Sequence, residues 1–441
     1  MMLLSVIFAL VYVYAVAGKQ RNVHIEGESF VESGSNQTVV LVGPNIVVKG
    51  PPYLPLVSGK KICNDVVDDD CSSKGTCTTC YTFNDADCEH IKSMGWNSIR
   101  LGVTWAGAQP RDEDTLDSTW LSNLHNILSL TDKHGLHVIL DNHGDMVGSL
   151  GCGNGVPAWF QKKAAPELIG KPLETGYPFK LVSSMRVEEL DGYDKCGNDE
   201  SMWAEYAGDP NYNLLNPCCA AMNSPNPGAL GYSKISQKTM NYMLEEGPGR
   251  DDFVRYWRLL AEAVVDHPSA IACELDNEPM SIWRGLMYDT WRAAAEAINA
   301  VIPDMSVSIQ DTGEGTVMPA IITQHFGGRA ANLDIRNDTV EFILKSNTLF
   351  YAWHWYGQPS DPAQAVRNAQ AKGREWNVPT FATEMMSCDA WKAIQDAGIS
   401  RSYWHYSSYC NTGPSFAANP DHNTFGACIL GWAGGTSSYQ C

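Results

Sequence analysis

Basic residues are scarce in this chain of 441 residues. Lys and Arg number 31 against 50 Asp and Glu, which gives a formal net charge of −19. Nucleic acids and anionic membrane surfaces carry charge of the same sign and are repelled by such a chain. We therefore expect no nucleic-acid partner and favour a soluble protein that binds an uncharged ligand.

Long apolar runs are also scarce, with one exception at the N-terminus. Leu3 to Ala17 is apolar apart from Ser5, and this run is shorter than the roughly 20 residues of a spanning helix. Ala15 and Ala17 have the small side chains of a cleavage site. We predict that residues 1–17 are a secretory signal peptide, with an uncleaved anchor as the alternative because no Lys or Arg precedes the run. The mature chain is then extracellular and has no integral membrane segment.

Metal-binding histidine pairs are absent from the sequence. The chain has no His-x-His and no His-Glu-x-x-His motif, which are common spacings of metal ligands. Cys77 and Cys80 have the spacing of a zinc or redox pair, but no second pair of this kind occurs. We predict neither a metal nor another cofactor.

Cysteine, in contrast, is abundant, with 14 residues. In a secreted chain they are expected to form disulfides, and five of them fall between Cys63 and Cys88. Cys273 lies in an apolar run and is the expected free, buried thiol. Asn36 and Asn337 are in Asn-x-Thr sequons, which agrees with secretion.

From Val39 onward, short apolar runs alternate with segments of helical periodicity. The predicted strands are Val39–Val48, Ser98–Val103, His137–Asp141, Ala270–Leu275, Ser306–Gln310, Leu349–His354, Thr380–Thr383 and Ser402–His405. The clearest predicted helices are Thr119–His134, Phe253–Asp266, Asp289–Val301 and Pro362–Trp376. Eightfold alternation predicts the α/β class and a parallel sheet closed into a (β/α)8 TIM barrel.

The predicted barrel has one long insertion and an irregular C-terminus. Residues 144–249, after the third strand, are rich in Pro and Gly, contain cysteines and show no clear periodicity. We expect a functional loop over the barrel mouth, poorly ordered at residues 223–231. Residues 406–441 are expected to be irregular and tied by disulfides. Without an internal repeat or a linker, residues 18–441 form one predicted catalytic domain.

Polar and aromatic side chains end almost every predicted strand, on the face that carries the active sites of barrel enzymes. Glu278 ends strand four and Glu384 ends strand seven. Hydrolysis of a glycosidic bond requires a protonated and an ionised carboxyl group, and repulsion between two close carboxylates raises the pKa of one. We predict a separation of about 5 Å, as in retaining enzymes. Three further acids, Glu274, Asp276 and Glu314, lie near predicted strand ends. Glu274 is expected in a structural network, and Asp276 is expected to contribute to the site in a secondary role.

The ordered set of strand-end residues resembles glycoside hydrolase family 5, over roughly Val39 to Tyr409. The matching positions are Arg100, His143, Asn277, Glu278, His354, Tyr356, Glu384 and Trp404. This resemblance implies that Glu278 is the acid/base and Glu384 the nucleophile, whose carboxylate is held by Arg100 and Tyr356.

The resemblance assigns the remaining four positions to substrate binding. Asn277 is expected to bond the sugar 2-hydroxyl, and His354 to contact the acid/base. His143 is expected near the nucleophile, and Trp404 forms the aromatic floor of the subsite. From the residues alone, His143 is also open to interpretation as a core histidine or, with Asp145, as a metal ligand.

The substrate is less closely defined. The segments 141–145 and 153–159 resemble endoglycoceramidase-type members of the family, which cleave glycans from glycosphingolipids. We expect a retaining β-glycoside hydrolase acting first on β-1,4-glucan, as an endoglucanase does. Glycolipid, simple β-glucosides and β-mannan are the alternatives. A catalytically inactive sugar-binding barrel is the rival of a different class, and we expect a monomer.

Overall fold

A computed structural model describes most of the chain. The described residues are 19–48, 53–57, 62–63, 66–67, 83–145, 147–193, 227–281, 283–310, 335–357, 360–385, 387–404 and 406. The predicted signal peptide, Glu314 and residues 407–441 lie outside them, and the predictions made there stay predictions.

Strands and helices alternate along most of the chain. The strands are β1 (Val23–Glu26), β2 (Ser29–Glu32), β3 (Gln37–Thr38), β4 (Val42–Ile46), β5 (Ile62–Cys63), β6 (Val66–Val67), β7 (Ser98–Gly102), β8 (His137–Asp141), β9 (Ala270–Glu274), β10 (Ser306–Ile309), β11 (Leu349–Trp355), β12 (Thr380–Met385) and β13 (Ser400–Tyr403). The helices are α1 (Asp85–Ser93), α2 (Trp105–Ala108), α3 (Ser118–His134), α4 (Ala158–Ala164), α5 (Lys234–Leu244), α6 (Pro248–Val264), α7 (Arg284–Val301), α8 (Asn337–Lys345), α9 (Pro362–Trp376) and α10 (Cys388–Asp396).

Eight strands, β4 and β7 to β13, form a closed parallel barrel. Each pairs with the next along the chain, and β13 pairs with β4 to close it. Every residue of β7, β8 and β9 is buried, because side chains fill the barrel and helices cover it. The predicted (β/α)8 barrel and its eight strands are confirmed.

Local signals fix the ends of the covering helices. The Asp117 side chain accepts hydrogen bonds from the backbone N–H groups of Thr119 and Trp120 at the start of α3. The helix ends at Gly135, which has a φ of 65°, a conformation that glycine adopts without strain. Helix α9 spans the predicted residues.

A small antiparallel sheet, β1-β2-β3, precedes the barrel and was not predicted. Phe30 of this sheet packs on Phe350 and Phe381, with ring centroids 5.8 and 6.1 Å apart. These residues belong to one buried cluster at the amino-terminal ends of the barrel strands. The sheet therefore closes the end of the barrel opposite the predicted site.

The insertion is more regular than predicted. It contains helices α4 and α5, and Pro227–Tyr232 is a 3-10 helix where poor order was expected. Helix α5 has a buried apolar face that includes Met240, Met243 and Leu244. This i, i+3, i+4 spacing is the signal that the prediction missed.

Among the cysteines that the structure describes, Cys88 and Cys273 are free and buried. The prediction for Cys273 is confirmed, whereas the disulfide expected for Cys88 is wrong, because α1 packs this thiol into the barrel wall with no exposed surface. The other disulfides stay predictions. Among the described helices, none has both the length and the apolar character needed to cross a membrane.

Candidate active site

Arg100, on β7, is the centre of the polar network at the barrel mouth. Its guanidinium is fully buried and binds Glu274 through two hydrogen bonds of 2.7 and 2.9 Å. It also donates to Asn45 Oδ1 and Glu384 Oε1, both at 2.7 Å, and lies 3.0 Å from Asp141. Since a buried charge is stable only when paired, this one cation organises three carboxylates.

Glu384, near the end of β12, has hydrogen-bond donors on both carboxylate oxygens. Arg100 binds Oε1, and the Tyr356 hydroxyl donates to Oε2 at 2.5 Å. The Nδ1 atoms of His354 and His143 lie 3.7 and 3.8 Å from the carboxylate. Burial by itself raises the pKa of Glu384, but the charges of His354, Arg100 and His143 outweigh burial and lower it. The carboxylate is thereby held in its ionised form.

Glu278 follows β9 and faces Glu384 across the same cleft. Carboxylate oxygens of Glu278 and Glu384 and a ring nitrogen of His354 all lie within 4.8 Å of one another. The two glutamates therefore meet with the spacing predicted from the sequence. The Glu278 side chain is 28% exposed and accepts a 2.9 Å hydrogen bond from His354 Nδ1.

His354 is a buried cation between the two glutamates. Burial by itself lowers its pKa, but the charge of Glu384, the carboxylate of Glu274 at 3.7 Å and the hydrogen bond to Glu278 raise the pKa to about 10. The ring is thus a proton donor to carboxylates at neutral pH. This contact confirms the predicted pairing of His354 with Glu278.

His143 lies beside the nucleophile position with an acid on each side. Its Nδ1 is 2.8 Å from Asp141 and its Nε2 is 3.5 Å from Asp145. Burial opposes the charged ring, but Asp145 and Asp141 raise the pKa of His143 to about 9. The ring stacks on Trp404, with centroids 5.0 Å apart and planes 17° apart. His143 thus lies close to Glu384, as expected, with Trp404 beside it, and the role of Trp404 as the floor of the subsite stays a prediction.

Asn277 and Asp276 retain unused polar atoms. Asn277 Oδ1 accepts a 2.9 Å hydrogen bond from Arg100, while its buried Nδ2 has no partner among the described residues. Asp276 Oδ1 is 3.4 Å from Asn142 Nδ2, and its Oδ2 has no partner there either. Burial and then the charge of Asp141 raise the pKa of Asp276 far above its usual value. Buried groups of this kind are expected to meet a ligand or water.

The trio Glu278, His354 and Glu384 also has the spacing of a possible metal site. However, both oxygens of Glu384 are engaged by Arg100 and Tyr356, and His354 bonds Glu278 through Nδ1. A cation would have to displace these donors. The absence of a metal stays a prediction that chelation can test.

The sequence did not single out two members of the network, Asn45 and Asp141, as site residues. Asn45 binds Arg100 and donates to the carbonyl oxygens of Thr383 and Tyr403 at 3.0 and 3.2 Å. Asn45 and Asp141 are polar residues in otherwise apolar strands, which is the signal that could have revealed them. Glu274 takes the network role that was predicted for it.

More than half of the sequence matches a known protein family. Residues 65–171 and 232–413 match the family model of cellulase (glycosyl hydrolase family 5). The chain belongs to glycosyl hydrolase family 5. The match covers the barrel strands β7 to β13, but not β4, and it omits part of the insertion.

The similar curated proteins include two endoglycoceramidases. The protein from Hydra vulgaris is 24% identical over 246 residues, and that from Cyanea nozakii is 25% identical over 239 residues. Each alignment covers 54% of this chain, but only 36% and 38% of the respective relatives. The chain therefore matches little more than a third of their length.

Solved structures with the same fold include a crystal structure of endogalactoceramidase, with a TM-score of 0.56, 14% identity, and coverage of 88% of this chain and 75% of that one. A lactosyl-enzyme intermediate of endo-glycoceramidase II from Rhodococcus sp. has a TM-score of 0.51, 15% identity, and coverage of 86% and 76%. At these identities the likeness shows the shared barrel fold alone.

Proposed function

We propose that this protein is a retaining β-glycoside hydrolase with Glu384 as nucleophile and Glu278 as acid/base. The observation that carries the proposal is the approach of their carboxylate oxygens to within 4.8 Å across one cleft. Retention requires about this spacing, because inverting enzymes need room for a water between the carboxyl groups.

In the first step, an oxygen of Glu384 attacks the anomeric carbon and the bond to the leaving oxygen breaks. Glu278 gives its proton to that oxygen, which departs as an alcohol. Arg100 and Tyr356 hold the attacking carboxylate ionised and oriented. The products are a glycosyl ester on Glu384 and an ionised Glu278.

In the second step, water attacks the anomeric carbon of the glycosyl ester. Glu278 removes a proton from the water, the ester bond breaks, and Glu384 leaves as a carboxylate. The two inversions give a sugar with its original β-configuration. Both glutamates return to their starting protonation states.

The remaining site residues fit recognition of the sugar. The unused Nδ2 of Asn277 is a donor for a sugar hydroxyl, and the Trp404 ring, backed by His143, is a flat surface for a pyranose face. We propose that these groups bind the ring that is attacked.

For the substrate, we propose a β-linked sugar on a lipid in preference to β-1,4-glucan. The relatives named endoglycoceramidase support this choice, as do exposed apolar side chains of the insertion and of the segment that follows Glu278. Trp283, five residues after Glu278, is 54% exposed, and Tyr177 and Leu181 of the insertion are 83% and 67% exposed. A lipid leaving group would cover such apolar surface.

Competing substrates test this choice. We expect kcat/KM on lactosylceramide in detergent to exceed that on cellotetraose by more than about 10-fold, equivalent to 1.4 kcal/mol of transition-state binding. Glu384→Gln is the inactive control for each substrate. Faster cleavage of cellotetraose would return the assignment to β-1,4-glucan, and no turnover of any β-glycoside would favour a sugar-binding barrel.

We also propose that the protein is secreted and cleaved near Gly18. The apolar run at residues 3–17, the cysteine content and the two sequons support this. Expression in a eukaryotic host should release protein into the medium with a mature N-terminus close to Gly18.

A further inference from the structure

Glu278 has a strained backbone. Its φ is +45°, a left-handed conformation that is strained for a residue other than glycine. Such a conformation persists only where the surroundings hold it. The contacts on either side of Glu278 therefore decide where its carboxyl group lies.

On the N-terminal side, the barrel itself supplies the restraint. The backbone N–H of Asn277 donates to the carbonyl oxygen of Asn142 at 3.1 Å, and Arg100 holds the Asn277 side chain at 2.9 Å. Both partners are fully buried. The residue before Glu278 is thus fixed by neighbouring barrel segments.

On the C-terminal side, the restraint comes from the insertion. The Nε2 of Gln237, on α5, donates to the carbonyl oxygen of Met280 at 3.0 Å and to that of Gly231 at 2.7 Å. Met280 lies two residues after Glu278, with Pro279 between them. One side-chain amide therefore joins the insertion to the loop that carries Glu278.

Packing strengthens the same contact. Met280 packs on a cluster of the insertion that contains Phe179, Met185 and Tyr232. A Cβ added to Gly231 would lie 2.2 Å from the Met280 terminal methyl carbon, so the two segments are in direct contact there. The Tyr232 hydroxyl lies 3.9 Å from the Met280 sulfur.

Helix α5 gives Gln237 a rigid base. Met240, Met243 and Leu244 on this helix are buried in the main core of the barrel. The Ser233 hydroxyl caps the helix by accepting from the Ser236 N–H at 3.3 Å. Because the core holds helix α5 in place, the hydrogen bond from the Gln237 amide restrains the position of Met280.

We propose that Gln237 is a positioning residue for the acid/base Glu278, and that one role of the insertion is to hold the proton donor in place. This inference rests on the proposed function. Loss of the Gln237 donor should let the loop relax and move the Glu278 carboxyl group away from the leaving oxygen, while Glu384 keeps its own partners.

The experiment compares Gln237→Met with the parent on aryl β-glycosides of graded leaving-group pKa. The methionine keeps the length and removes the donor. We expect kcat/KM to fall by about 10-fold or more for alkyl and poor aryl leaving groups, because small misplacements of catalytic groups have effects of this size. Leaving groups that depart without a proton should change by less than about 2-fold.

Gln364→Met on α9 is the matched control, because Gln364 is only partly buried and its side chain bonds Arg367 and Asn368 of the same helix. It should behave like the parent on every substrate. The thermal unfolding midpoint shows whether Gln237→Met folds. If it does not, Gln237→Asn replaces it, because the asparagine keeps an amide that is too short to reach both carbonyl oxygens. The readout is the same: the loss of kcat/KM on poor leaving groups relative to the loss on good ones.

The outcomes separate the two proposals. Suppose that Glu278→Ala shows strong leaving-group dependence in the same assays. The role of Gln237 is then overturned if kcat/KM of Gln237→Met falls equally for all leaving groups or does not fall. If Glu278→Ala also slows all substrates equally, the assignment of Glu278 itself is wrong and the proposed function fails with it.

Discussion

The two sides of the cleft hold their glutamates in different ways. Glu384 is 4% exposed and takes hydrogen bonds from Arg100 and Tyr356 on its two oxygens. The Glu278 side chain is 28% exposed and bonds His354. Its backbone is strained and is held partly by Gln237 of the insertion.

This difference fits the two chemical roles proposed for Glu384 and Glu278. A nucleophile works as a fixed, ionised carboxylate, and a rigid barrel strand with a buried cation provides that environment. An acid/base must exchange protons with the leaving group and with water, so partial exposure suits it. We infer that the barrel core sets the nucleophile, while loops and the insertion set the proton donor.

The largest effect is expected on the barrel side. Glu384→Gly should lower kcat by roughly 10⁴-fold or more, because no other group can form the glycosyl ester. Azide fits the space left by the side chain and should restore turnover of activated β-glycosides, giving an α-glycosyl azide by a single displacement. NMR of the anomeric proton distinguishes the products.

A β-glycosyl azide from Glu384→Gly would contradict the nucleophile assignment. Glu375→Gly is the control, because it makes the same substitution at an exposed glutamate of α9. It should retain parental activity and gain nothing from azide.

A smaller and more selective effect is expected on the loop side. Glu278→Ala should slow poor leaving groups by about 10²–10⁴-fold, the usual contribution of general acid catalysis, and activated aryl groups far less. Azide should here accelerate the second step and give a β-glycosyl azide, the opposite configuration to that from Glu384→Gly. The same configuration from both variants would remove the distinction between the two sides.

The barrel strands were predictable because both of their faces are buried. Runs such as Ile271–Cys273 leave no polar face to confuse with a surface element. The N-terminal sheet was missed because β1 and β2 have four residues each, too few to establish a period. Helix α5 was missed because glycine and proline around it obscured its apolar spacing.

The candidate site was predictable to the extent that topology decides it. Strand ends of a parallel barrel meet on one face, so Glu278 and Glu384 could be placed together from the sequence. Arg100 makes two hydrogen bonds to Glu274. The choice of this partner depends on side-chain rotamers inside the barrel, which the sequence does not specify. The contact of Gln237 with Met280 joins an insertion to a loop, and no local pattern encodes it.

The smallest predicted effect is a shift in pH dependence at Tyr356. Its hydroxyl donates to Glu384 at 2.5 Å and helps to lower the pKa of that carboxyl group. In Tyr356→Phe this donor is lost, so the pKa of Glu384 rises. Because kcat/KM requires ionised Glu384 in the free enzyme, its acidic limb should move to higher pH. At the optimum, kcat/KM should fall by about 10- to 100-fold, from a lost charge-assisted bond of about 1.5–3 kcal/mol.

The check is a kcat/KM profile across the acidic range for the parent and Tyr356→Phe, with Tyr242→Phe on α5 as the control at a partly buried tyrosine. The control limb should match the parent. An unchanged limb, or one that moves to lower pH, would mean that Tyr356 does not stabilise the charge on Glu384. The nucleophile side would then depend on Arg100 and the two histidines alone, and the contrast with the loosely held Glu278 would be smaller than the hydrogen bonds indicate.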